Sequence, residues 1–349
     1  MNPIDNEGVR SEEAPTCHLC GSRGQLRQSA LRDRLFSAPG TWSLLQCPTC
    51  GLIWLNPRPL PSDVGKLYTT YFTHRSPSKP AGLSARLRNF IKSSVLASAF
   101  GYEGNGLMKM LGLFLARVGP LREMVGGSVM WLNGAYRGEL LDVGCGSGQF
   151  LANMRARGWN VLGVEPDGEA VRVAREHFGL TVSQGTLEEV DLREGTFDAV
   201  TLNHVIEHVL DPVGILRSCR RVLKPGGLLV VVTPNPAGLG ARFFGEGWLH
   251  WDPPRHLFLL SPQNLGEAAQ RAGLQVVRLW TVSRAARDTW QASRILRRHG
   301  VLRGGIPRNV PMRLRLEGWL FWAVEYALCT SRPCGEEIVM IATKRDAAE

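Results

Sequence analysis

The residues best placed for chemistry lie in one glycine-rich turn. An apolar run ends at Val143 and is followed by Gly144, Gly146 and Gly148, and then by a helical pattern. Because glycine has no Cβ atom, the chain can turn sharply here and a ligand can approach the backbone. Glu165 ends the next apolar run, twenty-one residues after Gly144, where a carboxylate can accept hydrogen bonds from ribose hydroxyls. The pattern predicts a nucleotide-binding turn.

The glycine spacing narrows the type of nucleotide. The turn has the spacing G-x-G-x-G, whereas the dinucleotide fingerprint is G-x-G-x-x-G, and Asp142 stands two residues before the first glycine. The alternative is a tight strand-to-helix turn that binds nothing. The acidic residue at the end of the second run favours the ligand site.

A second group of candidate residues is rich in histidine. His204, Glu207 and His208 follow the predicted fourth strand, and His256 follows the fifth, where α/β substrate sites commonly form. An imidazole titrates near neutrality, so a histidine here can accept a proton from a substrate. His256 is the first choice, with His208 and His204 as further candidates. A divalent metal held by these four side chains is the alternative, against which a structural His208 is favoured.

Four cysteines form two knuckles near the amino terminus. Cys17 and Cys20 make one C-x-x-C-G sequence, Cys47 and Cys50 make another, and 26 residues separate the two. Two close pairs of thiolates suit tetrahedral zinc better than a disulfide or a redox dithiol. Four cysteine ligands leave no open coordination position, so the predicted Zn²⁺ is structural.

Alternating strand and helix patterns begin at Gly138 and predict a parallel sheet with helices on both faces. The predicted strands are 139–144, 160–165, 180–184, 197–203, 227–233, 274–282 and 337–343. The predicted helices are 148–158, 168–178, 212–223 and one that ends at Ala272.

Residues 138–283 and the final strand resemble the class I S-adenosylmethionine (SAM) dependent methyltransferases, in the broad group related to ubiquinone-biosynthesis O-methyltransferases. The resemblance is carried by the glycine turn, Glu165, and the strands 197–203 and 228–233 in the family's order. It implies a doubly wound, mostly parallel, seven-stranded Rossmann-like α/β sheet, here preceded by a zinc ribbon. The last two strands would form its antiparallel edge.

The resemblance also assigns roles around SAM. Gly144, Gly146 and Gly148 would lie along the methionine portion, Asp142 would reach its ammonium group, and Glu165 would bind the ribose. The remaining predicted cofactor residues are Thr186 and Leu187 beside the adenine and Asn203 lining the site. Many relatives have an aspartate where this chain has Thr186, and Glu188 is the nearby substitute.

Four segments are predicted along the chain. A polar, disordered tail covers residues 1–16, and a zinc ribbon covers 17–60 as a separate module. A helical lid region covers 61–137. The methyltransferase domain covers 138–349 and contains an arginine-rich insertion at 284–334.

The net charge of +10 is concentrated in that insertion, which has nine arginines and one acid between Arg284 and Arg315. Such a block suits a phosphate-bearing substrate, a membrane surface or a nucleic acid, or else is a solvated face without a partner. The helical pattern over Leu316–Leu328 is assigned to core packing in preference to membrane contact. With no leader and no apolar run of about 20 residues, the expected location is cytoplasmic, with peripheral contact at the inner membrane face as an alternative.

The sequence thus predicts a SAM-dependent methyltransferase. The expected acceptor is a small molecule or glycan precursor, with O-methylation in polysaccharide, sugar or secondary-metabolite biosynthesis. The alternatives are a sugar C-methyltransferase, an RNA or other nucleic-acid methyltransferase that uses the basic insertion, and a SAM-binding protein without catalysis. Few aromatic residues interleave the arginines between 291 and 315, which disfavours nucleic acid.

Overall fold

A computed structural model describes residues 4–68, 82–302, 307 and 309–344 of the chain. The strands are β1 (Ile4–Asn6), β2 (Val9–Glu12), β3 (Gln25–Leu31), β4 (Trp42–Gln46), β5 (Ile53–Asn56), β6 (Arg58–Pro59), β7 (Glu139–Val143), β8 (Asn160–Glu165), β9 (Val182–Gln184), β10 (Phe197–Asn203), β11 (Leu223–Pro234), β12 (Phe258–Leu259), β13 (Leu274–Val282) and β14 (Glu337–Lys344).

The α-helices are α1 (Leu83–Ala99), α2 (Gly106–Leu115), α3 (Gly119–Gly127), α4 (Gln149–Arg155), α5 (Gly168–Phe178), α6 (Pro212–Val222), α7 (Leu239–Phe244), α8 (Pro262–Arg271), α9 (Ala286–His299) and α10 (Met312–Cys329). Short 3-10 helices cover Pro61–Tyr68, Gly134–Tyr136, Gly245–Gly247 and Leu249–Trp251.

The predicted seven-stranded sheet is confirmed, with the strand order β13-β14-β11-β10-β7-β8-β9. The pairings of β7 with β10 and β8, and of β8 with β9, are parallel. Runs of buried residues fill β7 and β10, as expected for strands that helices cover on both faces. In such a sheet the ends of β7, β8 and β10 carry the predicted cofactor residues.

The ribbon is a four-stranded sheet in the order β12-β5-β4-β3. Its edge strand β12 pairs antiparallel with β5, with Phe258 opposite Trp54 and Leu259 opposite Ile53. The prediction of a self-contained ribbon over 17–60 is therefore wrong at this edge, because β12 follows the histidine segment about 200 residues later in the chain.

The predicted disordered tail is wrong over the described part of residues 1–16. Strand β1 pairs antiparallel with β2, and β2 pairs with β6. Val9 and Ser11 are fully buried, whereas Arg10 between them is exposed and bonds to Asp63. The strand is only four residues long, so its alternation was hidden by the polar composition of the segment.

The chain divides into two compact units. One comprises Met1–Phe72, His204–Leu216 and Val231–Met340, and the other Thr73–Asn203, Arg217–Val230 and Ile341–Glu349. The glycine turn belongs to the second unit, and the histidine and cysteine groups belong to the first. The predicted segment boundaries at 61, 138 and 284 stay predictions, and residues 69–81, 303–306 and 308 of those segments lie outside the described residues.

None of the helices in the described ranges is both long and apolar enough to cross a membrane.

Candidate active site

The glycine turn adopts backbone conformations that require glycine. Gly144, Gly146 and Gly148 have φ angles of 71°, 52° and 82°, in the left-handed region. A Cβ atom on Gly148 would lie 2.5 Å from the Cδ1 atom of Leu180, so this glycine permits packing. A Cβ on Gly146 would meet nothing within 4 Å. The backbone of Gly146 therefore faces open space, where a ligand can lie against it.

The carboxylate of Glu165 holds the turn in place. One oxygen accepts a hydrogen bond from the backbone N–H of Gly146 at 2.8 Å, and the other accepts one from the N–H of Asp167 at 3.0 Å. Glu165 is buried, and burial raises the pKa of its carboxyl group. Each oxygen keeps a second lone pair, so the predicted bonds to ribose hydroxyls remain compatible with this geometry.

Asp142 is a buried carboxylate beside the turn. Its Oδ1 atom accepts a hydrogen bond from the Thr201 hydroxyl at 2.6 Å. Burial raises the pKa of Asp142 to about 7. Within the described ranges the structure gives neither Asp142 nor Glu165 an ion-pair partner. A buried carboxylate of this kind favours a cationic ligand, which fits the ammonium group of SAM.

The other predicted cofactor residues lie at strand ends. Asn203 is exposed at the end of β10, and Leu187 is fully buried. The exposed Thr186 donates its backbone N–H to Glu189 at 2.8 Å. The carboxylate of Glu189 therefore lies beside Thr186, and the suggestion that Glu188 contacts the adenine stays a prediction.

His204 bridges two buried carboxylates. Its Nδ1 atom lies 3.2 Å from Glu207, and its Nε2 atom lies 2.8 Å from Glu337. Burial alone would lower the pKa of His204, but the two carboxylates raise it to about 10. With both ring nitrogens protonated and donating, the imidazole has no lone pair for a substrate proton. This geometry opposes the predicted role of His204 as a base.

The two carboxylates have further partners that the sequence did not reveal. Glu207 accepts a hydrogen bond from the Thr233 hydroxyl at 3.0 Å, and Glu337 accepts two from Arg284, both at 3.0 Å. Burial would raise the pKa of Glu207, yet His204 lowers it to about 2. The charges of this cluster therefore compensate each other without a ligand.

His208 and His256 share one tautomer. The Nδ1 atom of His208 lies 3.0 Å from the carbonyl oxygen of Arg255, and that of His256 lies 2.7 Å from the carbonyl oxygen of His250. A carbonyl only accepts, so each Nδ1 donates, and in the neutral form of either ring the Nε2 atom carries the lone pair. Burial lowers the pKa of His208 to about 4, which keeps this ring neutral at pH 7. Both rings can accept a hydrogen bond or coordinate a cation.

Three side chains of this group could hold a metal ion. Glu207, His208 and His256 offer ligand atoms that all lie within 4.8 Å of one another. His204, the fourth predicted ligand, is engaged by two carboxylates instead. The structure therefore brings together three of the four side chains that were considered as metal ligands.

A buried ion pair ties the His256 segment to the ribbon. Both terminal nitrogens of Arg255 contact Asp33, at 2.7 and 2.8 Å, and Arg255 also pairs with Asp252. Arg255 and Asp33 have no exposed side-chain surface. Asp33 lies between β3 and β4, 222 residues before its partner, so nothing in the local sequence pointed to it.

The four ribbon cysteines form one cluster. The Sγ atoms of Cys17 and Cys50 lie 3.5 Å apart, those of Cys20 and Cys47 lie 3.3 Å apart, and all four lie within 4.8 Å of one another. These separations exceed the disulfide bond length of about 2.05 Å. Four convergent thiols in this arrangement fit the predicted structural zinc.

Comparisons with known proteins find methyltransferases. A family model described as a methyltransferase domain matches residues 125–279. The ubiquinone biosynthesis O-methyltransferase of Pseudomonas aeruginosa strain UCBPP-PA14 is 33% identical over 172 residues, which are 45% of this chain and 74% of the relative. The protein of the same name from Cereibacter sphaeroides strain ATCC 17025 is 36% identical over 150 residues, covering 40% and 61%.

Among solved structures, a SAM-dependent methyltransferase from Thermotoga maritima, described as a possible histamine N-methyltransferase, has a TM-score of 0.42. It is 22% identical, and the match covers 69% of this chain and 96% of that one.

The fold and the glycine turn define a SAM-dependent methyltransferase. The chain belongs to the class I methyltransferase family that includes the ubiquinone biosynthesis O-methyltransferases.

Proposed function

We propose that this enzyme transfers the methyl group of SAM to a hydroxyl oxygen of a small molecule. The observation that carries the proposal is the pair His208 and His256, whose Nε2 lone pairs are fixed by backbone carbonyls. Transfer to a hydroxyl requires removal of its proton, which a positioned imidazole can accept. The names of the relatives, which are O-methyltransferases, support oxygen as the methylated atom.

The cofactor is held by residues of the glycine turn and its neighbouring strands. When bound, SAM supplies an activated sulfonium methyl group. Asp142 would bind the ammonium group, which would give this buried carboxylate a cationic partner. Glu165 accepts from the ribose hydroxyls through its second lone pairs. The other residues assigned to SAM are Gly144, Gly146 and Gly148 along the methionine portion, Thr186 and Leu187 beside the adenine, and Asn203.

On the acceptor side, His256 takes the hydroxyl proton at Nε2. The bond from its Nδ1 to the His250 carbonyl fixes the tautomer and the ring orientation. Asp252 lies 3.9 Å from Nε2, where it stabilises the imidazolium that forms. His208, whose ring centroid lies 4.7 Å from that of His256, orients the acceptor as a neutral hydrogen-bonding group.

The proposal also covers the chemical class of the acceptor. A glycan precursor, a sugar and a secondary metabolite are the classes that the sequence suggested. A quinone precursor joins them, because the relatives are named for ubiquinone biosynthesis. RNA is the second candidate, because α9 and α10 carry exposed arginines.

The test uses the full zinc-loaded chain with tritiated SAM and fractionated bacterial extract, separated into lipid-linked glycans, nucleotide sugars, quinones and RNA. We expect label in one small-molecule fraction, and loss of at least about a hundredfold in transfer for His256→Ala. Calorimetry should show unchanged SAM affinity in that variant.

The matched control is His177→Ala, which removes an exposed histidine of α5. Equal transfer by the wild type and His256→Ala would remove His256 from the mechanism. Label confined to RNA would replace the small-molecule acceptor, and SAM binding with no label in any fraction would indicate a protein without catalysis.

A further inference from the structure

Helix α10 exposes an apolar face along its length. From Gly318 to Leu328, every exposed residue is apolar, and together they are Trp319, Leu320, Ala323, Val324, Ala327 and Leu328. Met312 and Leu316 extend the same face by two turns towards the amino terminus. The helix has 18 residues and is about 27 Å long. The expectation that Leu316–Leu328 packs in the core is therefore wrong for this face.

The opposite side of α10 packs on α9. The rings of Phe321 and Trp290 lie 4.6 Å apart, and Glu317 contacts Arg294 at 3.3 Å. A Cβ atom on Gly318 would lie 3.1 Å from the backbone oxygen of Arg287, so the two helices approach closely there. Since α9 fixes which side is buried, the exposure of the apolar face follows from the packing.

The helix pair is also basic. Helices α9 and α10 together contain six arginines and three acidic residues, and one of these acids, Glu325, is buried. Arg297 and Arg298 stand in the last turn of α9, and Arg313 and Arg315 stand in the first turn of α10. The exposed side of α10 thus combines apolar side chains with nearby arginines, as the lipid-facing side of an interfacial helix does, while its other side is covered by α9.

Three kinds of partner could cover such a face, and they differ in how well their charge and polarity match it. A second copy of the chain would bring the same arginines and repel them. RNA would neutralise the arginines but leave the apolar side chains in water. An anionic bilayer accommodates both, because its acyl region takes the apolar face and its phosphates take the arginines.

We propose that α10 is a membrane-docking helix whose apolar face enters the surface of an anionic lipid bilayer. The inference goes beyond the proposed function and does not depend on it. Helices α9 and α10 follow the residues 125–279 that match the family domain. The docking surface thus lies outside the part of the chain that matches that domain.

The test is flotation of the full zinc-loaded chain with two kinds of vesicle. One contains equal parts of phosphatidylglycerol and phosphatidylcholine, and the other contains phosphatidylcholine alone. We expect binding to the anionic vesicles, and weaker binding to the neutral ones. Leu316→Glu with Leu320→Glu should weaken anionic binding by at least about tenfold, because two charges then enter the acyl region.

A matched double variant separates this effect from added negative charge. Leu26→Glu with Val277→Glu places the same two charges on side chains that are 65% and 60% exposed, compared with 62% and 68% for Leu316 and Leu320. The control should bind anionic vesicles within about threefold of the wild type. Arg297→Gln with Arg298→Gln should weaken binding about tenfold and reduce its salt dependence.

Circular dichroism and SAM affinity should be unchanged in all three variants, and Leu328→Glu alone provides a milder substitution on the same face. Three results would overturn the proposal. The first is no binding of the wild type to anionic vesicles, or equal binding by the two glutamate double variants. The second is a wild-type dimer that Leu316→Glu with Leu320→Glu converts to a monomer. The third is RNA binding that the arginine variant abolishes while vesicle binding persists.

Discussion

Two pairs among the buried carboxylates of the described residues differ in how their charges are compensated. Asp142 and Glu165 have raised pKa values because burial penalises their charges, and their hydrogen-bond partners in the described part of the chain are hydroxyl and amide donors. Glu207 and Glu337 are at least as buried, yet His204 lowers the pKa of Glu207, and Arg284 together with His204 lowers the pKa of Glu337. Under the proposed function, the SAM ammonium group would compensate Asp142 in the first pair, whereas His204 and Arg284 compensate the second pair.

The largest loss of stability is expected when one carboxylate of the compensated pair, Glu207 and Glu337, is removed. Glu207→Gln leaves the His204 imidazolium with one carboxylate and should destabilise the fold by about 3–5 kcal/mol, the usual cost of removing one partner of a buried pair. Denaturant unfolding measures this change. Glu176→Gln, in an exposed ion pair with Arg172, is the control and should change stability by less than about 1 kcal/mol. Similar losses of unfolding free energy in the two variants would show that the buried pair is not held by its charges.

The Asp33–Arg255 pair extends the comparison to the ribbon. Asp33→Asn should destabilise the chain by about 3 kcal/mol, because Arg255 stays buried with Asp252 alone. It should also shift the ¹⁵N resonances of the His256 ring, whose backbone follows Arg255. Glu7→Gln, which removes an exposed ribbon ion pair with Arg32, should leave those resonances in place. An unmoved His256 signal in Asp33→Asn would show that the pair does not position the ring.

Removing the uncompensated charge of Asp142 should raise the stability of the fold, whereas the two preceding substitutions lower it. The pKa of Asp142 is raised from 3.8 to about 7, so the folded state retains a proton that the unfolded state releases above about pH 4. The contribution of Asp142 to stability therefore falls as pH rises from about 4 to 7. Asp142→Asn should make the SAM-free protein more stable by about 2 kcal/mol at pH 8, with no gain at pH 3.

The same variant should bind SAM about 30-fold more weakly at pH 8, because a charged hydrogen bond to the ammonium group is lost. Thermal unfolding and calorimetry measure the two effects. A variant that is less stable without SAM at pH 8 would show that Asp142 is already compensated.

The smallest effect concerns the open side of the turn. Gly146→Ala should cost about 1 kcal/mol of stability, because φ is positive there. It should also weaken SAM binding about tenfold, since the new methyl group enters the ligand side. Gly179→Ala is closely matched, with φ of 59° and open space around its Cβ position. Calorimetry should show unchanged SAM affinity in Gly179→Ala, and equal losses in both variants would remove the ligand from the face of Gly146.

Local patterns predicted most of the sheet and little of the charge network. The strands 160–165, 197–203 and 274–282 match β8, β10 and β13 residue for residue, because each is an apolar or alternating run of at least six residues. The glycine turn and the cysteine knuckles were also visible, since their chemistry lies within a few residues. Strand β11 begins at Leu223, four residues before its prediction, because Pro225 and Gly226 resembled a turn.

The partners that control the buried charges could not be predicted. Glu337 lies 133 residues from His204, and Asp33 lies 222 residues from Arg255. Such pairs depend on how strands are ordered in space, which no local spacing encodes. The short strands β1 and β2 were missed because a few alternating residues do not stand out in a polar segment.

The position of β12 in the chain has a consequence for biosynthesis. Strand β5 leaves the ribosome long before Phe258 and Leu259, its antiparallel neighbours, have been translated. Until then β5 is an edge with unpaired backbone groups, open to any other nascent strand. A chaperone or an early zinc ion would therefore act on an incomplete ribbon, and any fragment that stops before residue 258 keeps that edge permanently exposed.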